Sequence, residues 1–155
     1  METIIRKYSE ADLIAVMSAW ENASKIAHPF LPDEFVAKVR HDIPTLYLPN
    51  AETWVADIGG QVVGFIALLG NEIGALFVEP DFHGVGAGKA LMDKAQQLQG
   101  DLEVEVFKEN PIGRKFYSRY GFELMTESSF PETGDPVYRL KFTANKKPLR
   151  AINRC

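Results

Sequence analysis

Apolar residues recur along this chain with two periods, and the switches between them mark its elements. Thr3 to Arg6 is a short β-favouring segment, and Ser9 with Asp12 three residues later marks a helix start. Leu13, Val16, Met17 and Trp20 then share one helical face. Pro32, followed by Asp33 and Glu34, predicts a second helix with Phe35, Val36 and Val39 turned inward. Pro44 and Pro49 predict loop. Glu52 to Asp57 and Gln61 to Leu69 read as strands joined at Ile58-Gly59-Gly60, a tight-turn signal, and Asn71 to Val78 is the next strand. A helix carrying Ala90, Leu91, Ala95 and Leu98 ends at Gly100, and Leu102 to Phe107 alternates apolar with polar. Pro111 opens a helix that runs to Tyr120 and closes at Gly121; Phe122 to Met125 and Pro136 to Phe142 form a last strand pair around residues 132–135. The pattern is mixed α/β in one domain over residues 1–143. A basic tail, 144–155, with Lys146, Lys147, Arg150 and Arg154, is expected to fray.

Composition narrows the function classes. At 155 residues the chain can bury a sound core, and 46% hydrophobic with 25% charged residues is ordinary for a globular domain. A net charge of −4 with no basic stripe before the tail argues against nucleic acid as a partner. No apolar run approaches the roughly 18 residues of a membrane span. The charged start (Glu2, Arg6, Lys7) does not read as a secretory leader. The sole cysteine, Cys155, excludes an intrachain disulfide and offers no metal cluster. These features predict a cytoplasmic protein without metal or membrane partner, and leave a homodimer open.

The chain is organised around residues 76 to 98. An apolar run from Ile73 to Val78 stops at Pro80, three glycines follow at alternate positions (Gly84, Gly86, Gly88), and helical spacing begins directly after them. In such a strand–turn–helix the glycines let successive N–H groups face one concavity, and the helix N-terminus adds about half a positive charge. The combination suits an anionic phosphate. A Walker loop is excluded because Ala90 stands where the hydroxyl after Lys89 is needed, and Gly84-Val85-Gly86-Ala87-Gly88 lacks Rossmann spacing. A glycine turn without a ligand is the plainer alternative.

His83-Gly84-Val85-Gly86-Ala87-Gly88 resembles the acetyl-CoA pyrophosphate loop of the GNAT superfamily of N-acetyltransferases, written [QR]-x-x-G-x-[GA], with His83 in place of Gln or Arg. Asn110-Pro-Ile-Gly-Arg-Lys-Phe-Tyr-Ser-Arg-Tyr-Gly-Phe122 is similar to the family's late N-x-x-x-x-x-F-Y-x-x-x-G-F segment. The resemblance covers roughly residues 3 to 142. It implies the GNAT fold, a mixed central sheet of about seven strands with a splayed strand pair and about four helices. It also implies acetyl-CoA as donor and direct acetyl transfer to a primary amine of a small molecule or peptide. A CoA-binding regulatory module without turnover is the alternative, and a purely structural domain ranks last.

By the same resemblance, His83, Gly84, Val85, Gly86, Ala87, Gly88 and Lys89 hold the donor, with His83 hydrogen-bonding around the phosphate. Phe77 and Val78 pair with the pantetheine arm and polarise the thioester carbonyl. Asn110 meets the pantetheine; it also reads as the N-cap before Pro111. Tyr117, the second aromatic of the Phe116-Tyr117 pair, is the candidate acid for the leaving thiolate; its alternative is a packed helix aromatic, and Tyr120 is its neighbouring rival. Two residues compete as base. Glu72 shares a strand face with Leu76 by alternate parity, where some members of the family carry a glutamate base, and is otherwise a solvated strand-start carboxylate. His28, among Trp20, Phe30 and Leu31, lies where this fold builds its acceptor wall, and is otherwise a packed structural histidine.

Overall fold

The computed structural model describes residues 2–144. The basic tail and Cys155 therefore lie outside the described residues, apart from the first residue of the tail. Seven strands form one sheet in the order β1-β2-β3-β4-β5-β7-β6. They are β1 (Thr3–Lys7), β2 (Glu52–Ile58), β3 (Gln61–Leu69), β4 (Glu72–Val78), β5 (Leu102–Phe107), β6 (Glu123–Ser129) and β7 (Pro136–Phe142). Every neighbouring pair is antiparallel except β4–β5. Four helices of ten residues or more accompany it: α1 (Leu13–Ala27), α2 (Asp33–Asp42), α4 (Ala87–Gln99) and α5 (Pro111–Tyr120), with a single turn, α3 (Leu48–Asn50), between.

Strand alternation divides the core into two layers. Val55, Val62 and Phe65 pack with Val16, Ala19 and Trp20 of α1 on one face. Ile66, Leu68, Ile73 and Val104 pack with Leu91, Met92 and Ala95 of α4 and with Tyr117 of α5 on the other. Leu91 and Met92 are wholly buried, and each contributes roughly 1.5–3 kcal/mol of burial. The ion pairs Lys89–Asp93 and Lys38–Glu132 are exposed to solvent, which screens them, so the apolar layers hold the fold. At the α1 entrance the Asp12 carboxylate accepts from the Ser9 N–H at 2.9 Å and pairs with Arg6, which holds it below the usual carboxylate range.

Three expectations need correction. Pro44 and Pro49 do not sit in loop: Ile43–Tyr47 forms a π-helical turn that continues α2 without a break and leads into α3, and its wider i→i−5 bonding, Leu48 N–H to Ile43 O, accommodates prolines that lack an N–H of their own. The apolar face of α2 is not buried. Val36 and Val39 pack against the edge of the α1-side core and, with Phe35, also line a cavity, so all three stay half-buried. Finally, β6 runs to Ser129 rather than Met125. Each of its residues is exposed, as an edge strand with little covering its faces allows, so no alternation marks it.

The feature that positions the site is a bulge in β4. Ala67 pairs with Ala75 but Leu68 with Ile73, so Gly74 is an extra residue. It reverses the parity of the strand: Glu72 pairs with Leu69, whereas Leu76 pairs with Ile66 on the α4 face. Glu72 and Leu76 therefore point to opposite faces. β4 and β5 pair only at Glu72–Glu103 and Ile73–Val104 and then separate. Beyond that point β4 is held by β3 alone, where Gly64 brings the backbones close; a Cβ there would lie 2.8 Å from Phe77 O and 2.9 Å from Val78 Cγ2. Gly64→Ala is expected to destabilise the domain by about 1–3 kcal/mol. The check is a lower urea midpoint at unchanged m-value, and an unchanged midpoint would refute the close contact.

Candidate functional site

A cleft of about 1310 Å3 opens where β4 and β5 part, and it extends from the cavity under α2 to the glycine loop before α4. Its floor is the tip of β4. The Glu79 N–H donates to Val63 O at 2.7 Å, so antiparallel alternation also turns Phe77 toward β3 and turns the backbone groups of Leu76 and Val78 into the gap. The outward orientation of Val78 has an independent mark, since His83 Nε2 bonds its carbonyl oxygen at 2.9 Å. The backbone groups free for a ligand are thus those of Leu76 and the N–H of Val78. Sequence reasoning named Phe77 and Val78; Leu76 was missed, although its position two residues from Val78 was the available signal. Phe77 contributes its ring, 6.2 Å from that of His28.

The loop that follows is shaped for an anion. Gly84 and Gly86 take φ of +84° and +91°, a region L side chains rarely adopt, with open space where a Cβ would project. Ala90 N–H donates to Gly86 O and closes the first turn of α4. Among the described residues no protein acceptor meets the N–H groups of residues 84 to 89. Val85 is exposed, Ala87 is buried against the sheet, and Gly88 lies beside the Phe116 ring. Two side chains act differently from expectation. His83 Nε2 donates to Val78 O rather than facing the loop's concavity, because that carbonyl has lost its strand partner. Lys89 Nζ pairs with Asp93 one turn along, at 2.9 Å, on an exposed face at the rim of the cleft.

The fork itself is lined by neutral groups. Tyr117 packs against Phe116 and Phe122, at 5.5 and 5.3 Å between ring centroids, and its hydroxyl has no hydrogen-bond partner among the described residues. Burial pushes the phenol above its ordinary range, so it remains protonated at neutral pH. The rival Tyr120 is engaged elsewhere: its hydroxyl donates to Asp93 at 2.6 Å. His28 caps the end of α1 and sits between the strand tips, its ring 5.1 Å from Phe107 and 6.0 Å from Phe30. Burial pulls it down to about 4, so it is an uncharged imidazole at neutral pH.

Asn110 caps α5, its Oδ1 accepting from the Gly113 N–H at 2.9 Å, and its Nδ2 lies 3.4 Å from His28 Nε2. The structure thus joins Asn110, His28, Phe77 and Tyr117 in one cleft. Glu72 also borders it, but Arg139 clasps both of its oxygens and reaches Glu103 at 3.0 Å as well. The carboxylate expected on the face of Leu76 is instead an ion-pair partner on the opposite face. Phe107, Phe130 and Phe35, with successive centroids 5.2 and 5.6 Å apart, wall the cleft on its α2 side, and Phe30 packs against Phe107 at 5.4 Å. Phe130, in the loop before β7, carried no spacing signal.

The residues present fit a nucleotide-linked thioester: unpaired N–H groups for the diphosphate, an unpaired strand tip for an amide-bearing arm, and a protonated phenol at the fork. Among the described residues no cluster of three His, Cys, Asp or Glu could hold a metal, and no helix is long and apolar enough to cross a membrane.

Comparison with known proteins agrees with this geometry. Residues 49–124 match the family model described as an acetyltransferase (GNAT) domain. The chain is 30% identical to peptidyl-lysine N-acetyltransferase YiaC of Escherichia coli, across 87% of this chain and 93% of that protein. It is also 30% identical to the peptidyl-lysine N-acetyltransferase YjaB of the same organism, across 85% and 90%. The solution structure of apo YjaB superposes with a TM-score of 0.82 at 28% identity, covering 93% of this chain and 99% of that one. The PaiA N-acetyltransferase of Thermoplasma acidophilum, solved in complex with coenzyme A, shares the fold with a TM-score of 0.71 at 20% identity, covering 92% and 100%. This chain belongs to the GNAT family and is an acetyl-CoA-dependent N-acetyltransferase.

Proposed function

We propose that the acceptor is the side-chain amine of a lysine in a peptide or protein, entering between α2 and the loop before β7 and meeting the donor at the fork of β4 and β5. The observation that carries this reading is the aromatic wall of Phe35, Phe130 and Phe107, which ends at His28. A lysine buries its four-carbon stem along apolar surface and presents one compact amine at the tip. The names of the relatives, both peptidyl-lysine acetyltransferases, support the same acceptor class.

The acceptor must arrive unprotonated, and magnitudes decide what makes it so. A lysine ammonium titrates near 10.4 and His28 near 4, a gap of roughly six units, or on the order of 8 kcal/mol. Outright proton transfer to His28 is therefore costly. Desolvation by the aromatic wall lowers the amine's own proton affinity, and the proton leaves to water as the side chain enters. His28 supplies an uncharged hydrogen-bond acceptor that orients the neutral amine and does not repel an approaching cation. Glu72, clasped by Arg139, maintains the sheet face beside the cleft.

Acetyl-CoA supplies a thioester whose acyl carbon is open to attack. The N–H groups of residues 84 to 89 bind its diphosphate. Leu76 and the Val78 N–H continue the strand ladder along its arm, and an N–H there polarises the carbonyl oxygen. Tyr117 gives its phenolic proton to the sulfur as the carbon–sulfur bond breaks, and the proton shed by the attacking nitrogen restores it.

Tyr117→Phe is expected to lower kcat by about a hundredfold or more while the Kd for acetyl-CoA stays unchanged. Single-turnover thiol release and calorimetry separate the two, and undiminished turnover would remove Tyr117 from the reaction. Because burial raises the phenol, wild-type kcat should hold through pH 10, the ordinary phenol pKa, before any loss from deprotonation of Tyr117. Gly86→Glu places a carboxylate at a left-handed position beside the free N–H groups and is expected to weaken acetyl-CoA binding at least about tenfold with the fold retained. Normal binding would return the loop to a plain turn. For the acceptor, lysine peptides should be acetylated with higher kcat/KM than free amino acids or polyamines, as mass spectrometry of a mixed panel will read. A preference for the small amines would overturn the assignment.

A further inference from the structure

We propose that Asn110 is a positioning residue that holds His28 as the uncharged Nδ1–H tautomer, with the bare Nε2 turned toward the fork. The inference rests on the reading of His28 as the group that meets the acceptor amine. The argument begins at the cap of α5. The Gly113 N–H has no partner within the helix and donates to the Asn110 side chain at 2.9 Å, so the atom facing it is the oxygen. The other end of the amide is then the NH2 group, which only donates. It is 3.4 Å from His28 Nε2, which must accept, and the imidazole proton is left on Nδ1. Nothing in the chain's spacing announces this pair, whose members are 82 residues apart.

Packing keeps the amide in this orientation. A Cβ on residue 113 would lie 2.5 Å from Asn110 Nδ2 and 3.1 Å from its Cγ, so glycine at 113 leaves the space the amide occupies. Asn110 is itself 6% exposed. The other groups against the ring are uncharged: Phe30 after α1, Phe77 on β4 and Phe107 on β5. His28 also borders a smaller cavity of about 250 Å3, whose charged groups are Glu21 and Lys25 of α1 and Asp33 and Arg40 of α2. Of these, Glu21 and Arg40 are paired with each other at 2.9 and 3.0 Å.

A donor aimed at Nε2 disfavours protonation there, in the same direction as burial. At 3.4 Å, beyond the usual 2.7–3.2 Å, the contact orients the lone pair without saturating it, so an arriving amine N–H can take its place. The amide also has two hydrogens, one of which remains for the donor's arm.

The test is 15N NMR of the full chain, reading the two imidazole nitrogens of His28, together with the pH profile of kcat/KM for a lysine peptide. The wild type should show the Nδ1–H pattern, with His28 uncharged at pH 6. Asn110→Asp keeps a good helix cap but puts an acceptor opposite Nε2. It should move the proton to Nε2, raise the titration of His28 by about one pH unit or more, and shift the acid limb of kcat/KM upward by the same amount. Gly113→Ala displaces the amide nitrogen without changing Asn110 and should give a mixture of tautomers. A cap acting only structurally would move none of these. An Nε2–H pattern in the wild type, or an Asn110→Asp spectrum that does not change, overturns the proposal. Unchanged kcat/KM in His28→Gln would instead overturn the role given to His28 at the amine, and leave the tautomer, read by NMR alone, standing.

Discussion

The backbone of β4 has more hydrogen-bonding groups than the sheet has partners, and the site follows from that imbalance. β5 leaves β4 after the Ile73–Val104 pair, immediately at the Gly74 bulge, so the outward groups at Leu76 and Val78 lose a ladder they would otherwise share. An unmet N–H or C=O in a water-poor cleft costs about 1–3 kcal/mol. The strand tip is therefore a standing demand for a ligand that carries amides of its own. Chain features meet only part of that demand. His83 takes the Val78 carbonyl, Glu79 is tied to Val63, and Ser18 and Asn22 of α1 donate to the Glu79 carboxylate at 2.7 and 2.8 Å. What is left is a rigid, half-satisfied edge.

A second regularity is the segregation of charge. Among the described residues the carboxylates near the cleft are engaged away from the fork: Glu72 and Glu105 by Arg139, Asp93 by Lys89 and Tyr120, Glu79 by α1. The fork keeps a neutral imidazole, a protonated phenol and an amide. Such an arrangement is suited to a reaction whose nucleophile must be neutral and whose leaving group needs a proton, because no fixed charge holds the amine in its unreactive cationic form.

Much of this was legible in the sequence for reasons that can be named. The strand–glycine–helix unit at residues 73 to 98 was readable because proline and glycine act locally: each forbids or permits a backbone state wherever it stands. The limits of β3, β5, α5 and β7 followed from alternation and from Pro111, Gly121 and Pro136 in the same way. The bulge was not readable. Its one trace is Gly74 itself, an isolated glycine within an apolar strand run, and because the inserted residue reverses the face of every residue before it, the parity argument joined Glu72 to Leu76 when the structure separates them. The second role of α2 was equally hidden, since a helix that packs on a core and also lines a cavity shows the same amphipathic pattern as one that only packs. The His28–Asn110 contact lies furthest from the sequence, because it requires the end of α1 and the start of α5 to meet across the fork.

His83 illustrates how a departure from a motif is absorbed. The N–H groups of residues 84 to 89 proposed for the anion belong to the backbone, so a change of side chain at 83 does not remove them. What the architecture does require is a fixed distance between those N–H groups and the tip of β4, since one ligand must touch both. A donor at position 83 that bonds the last free carbonyl of the strand sets that distance, and an imidazole N–H at 2.9 Å from Val78 O does so as directly as an amide or guanidinium donor. The His83 side chain thus ties the loop to the tip of β4 in this chain.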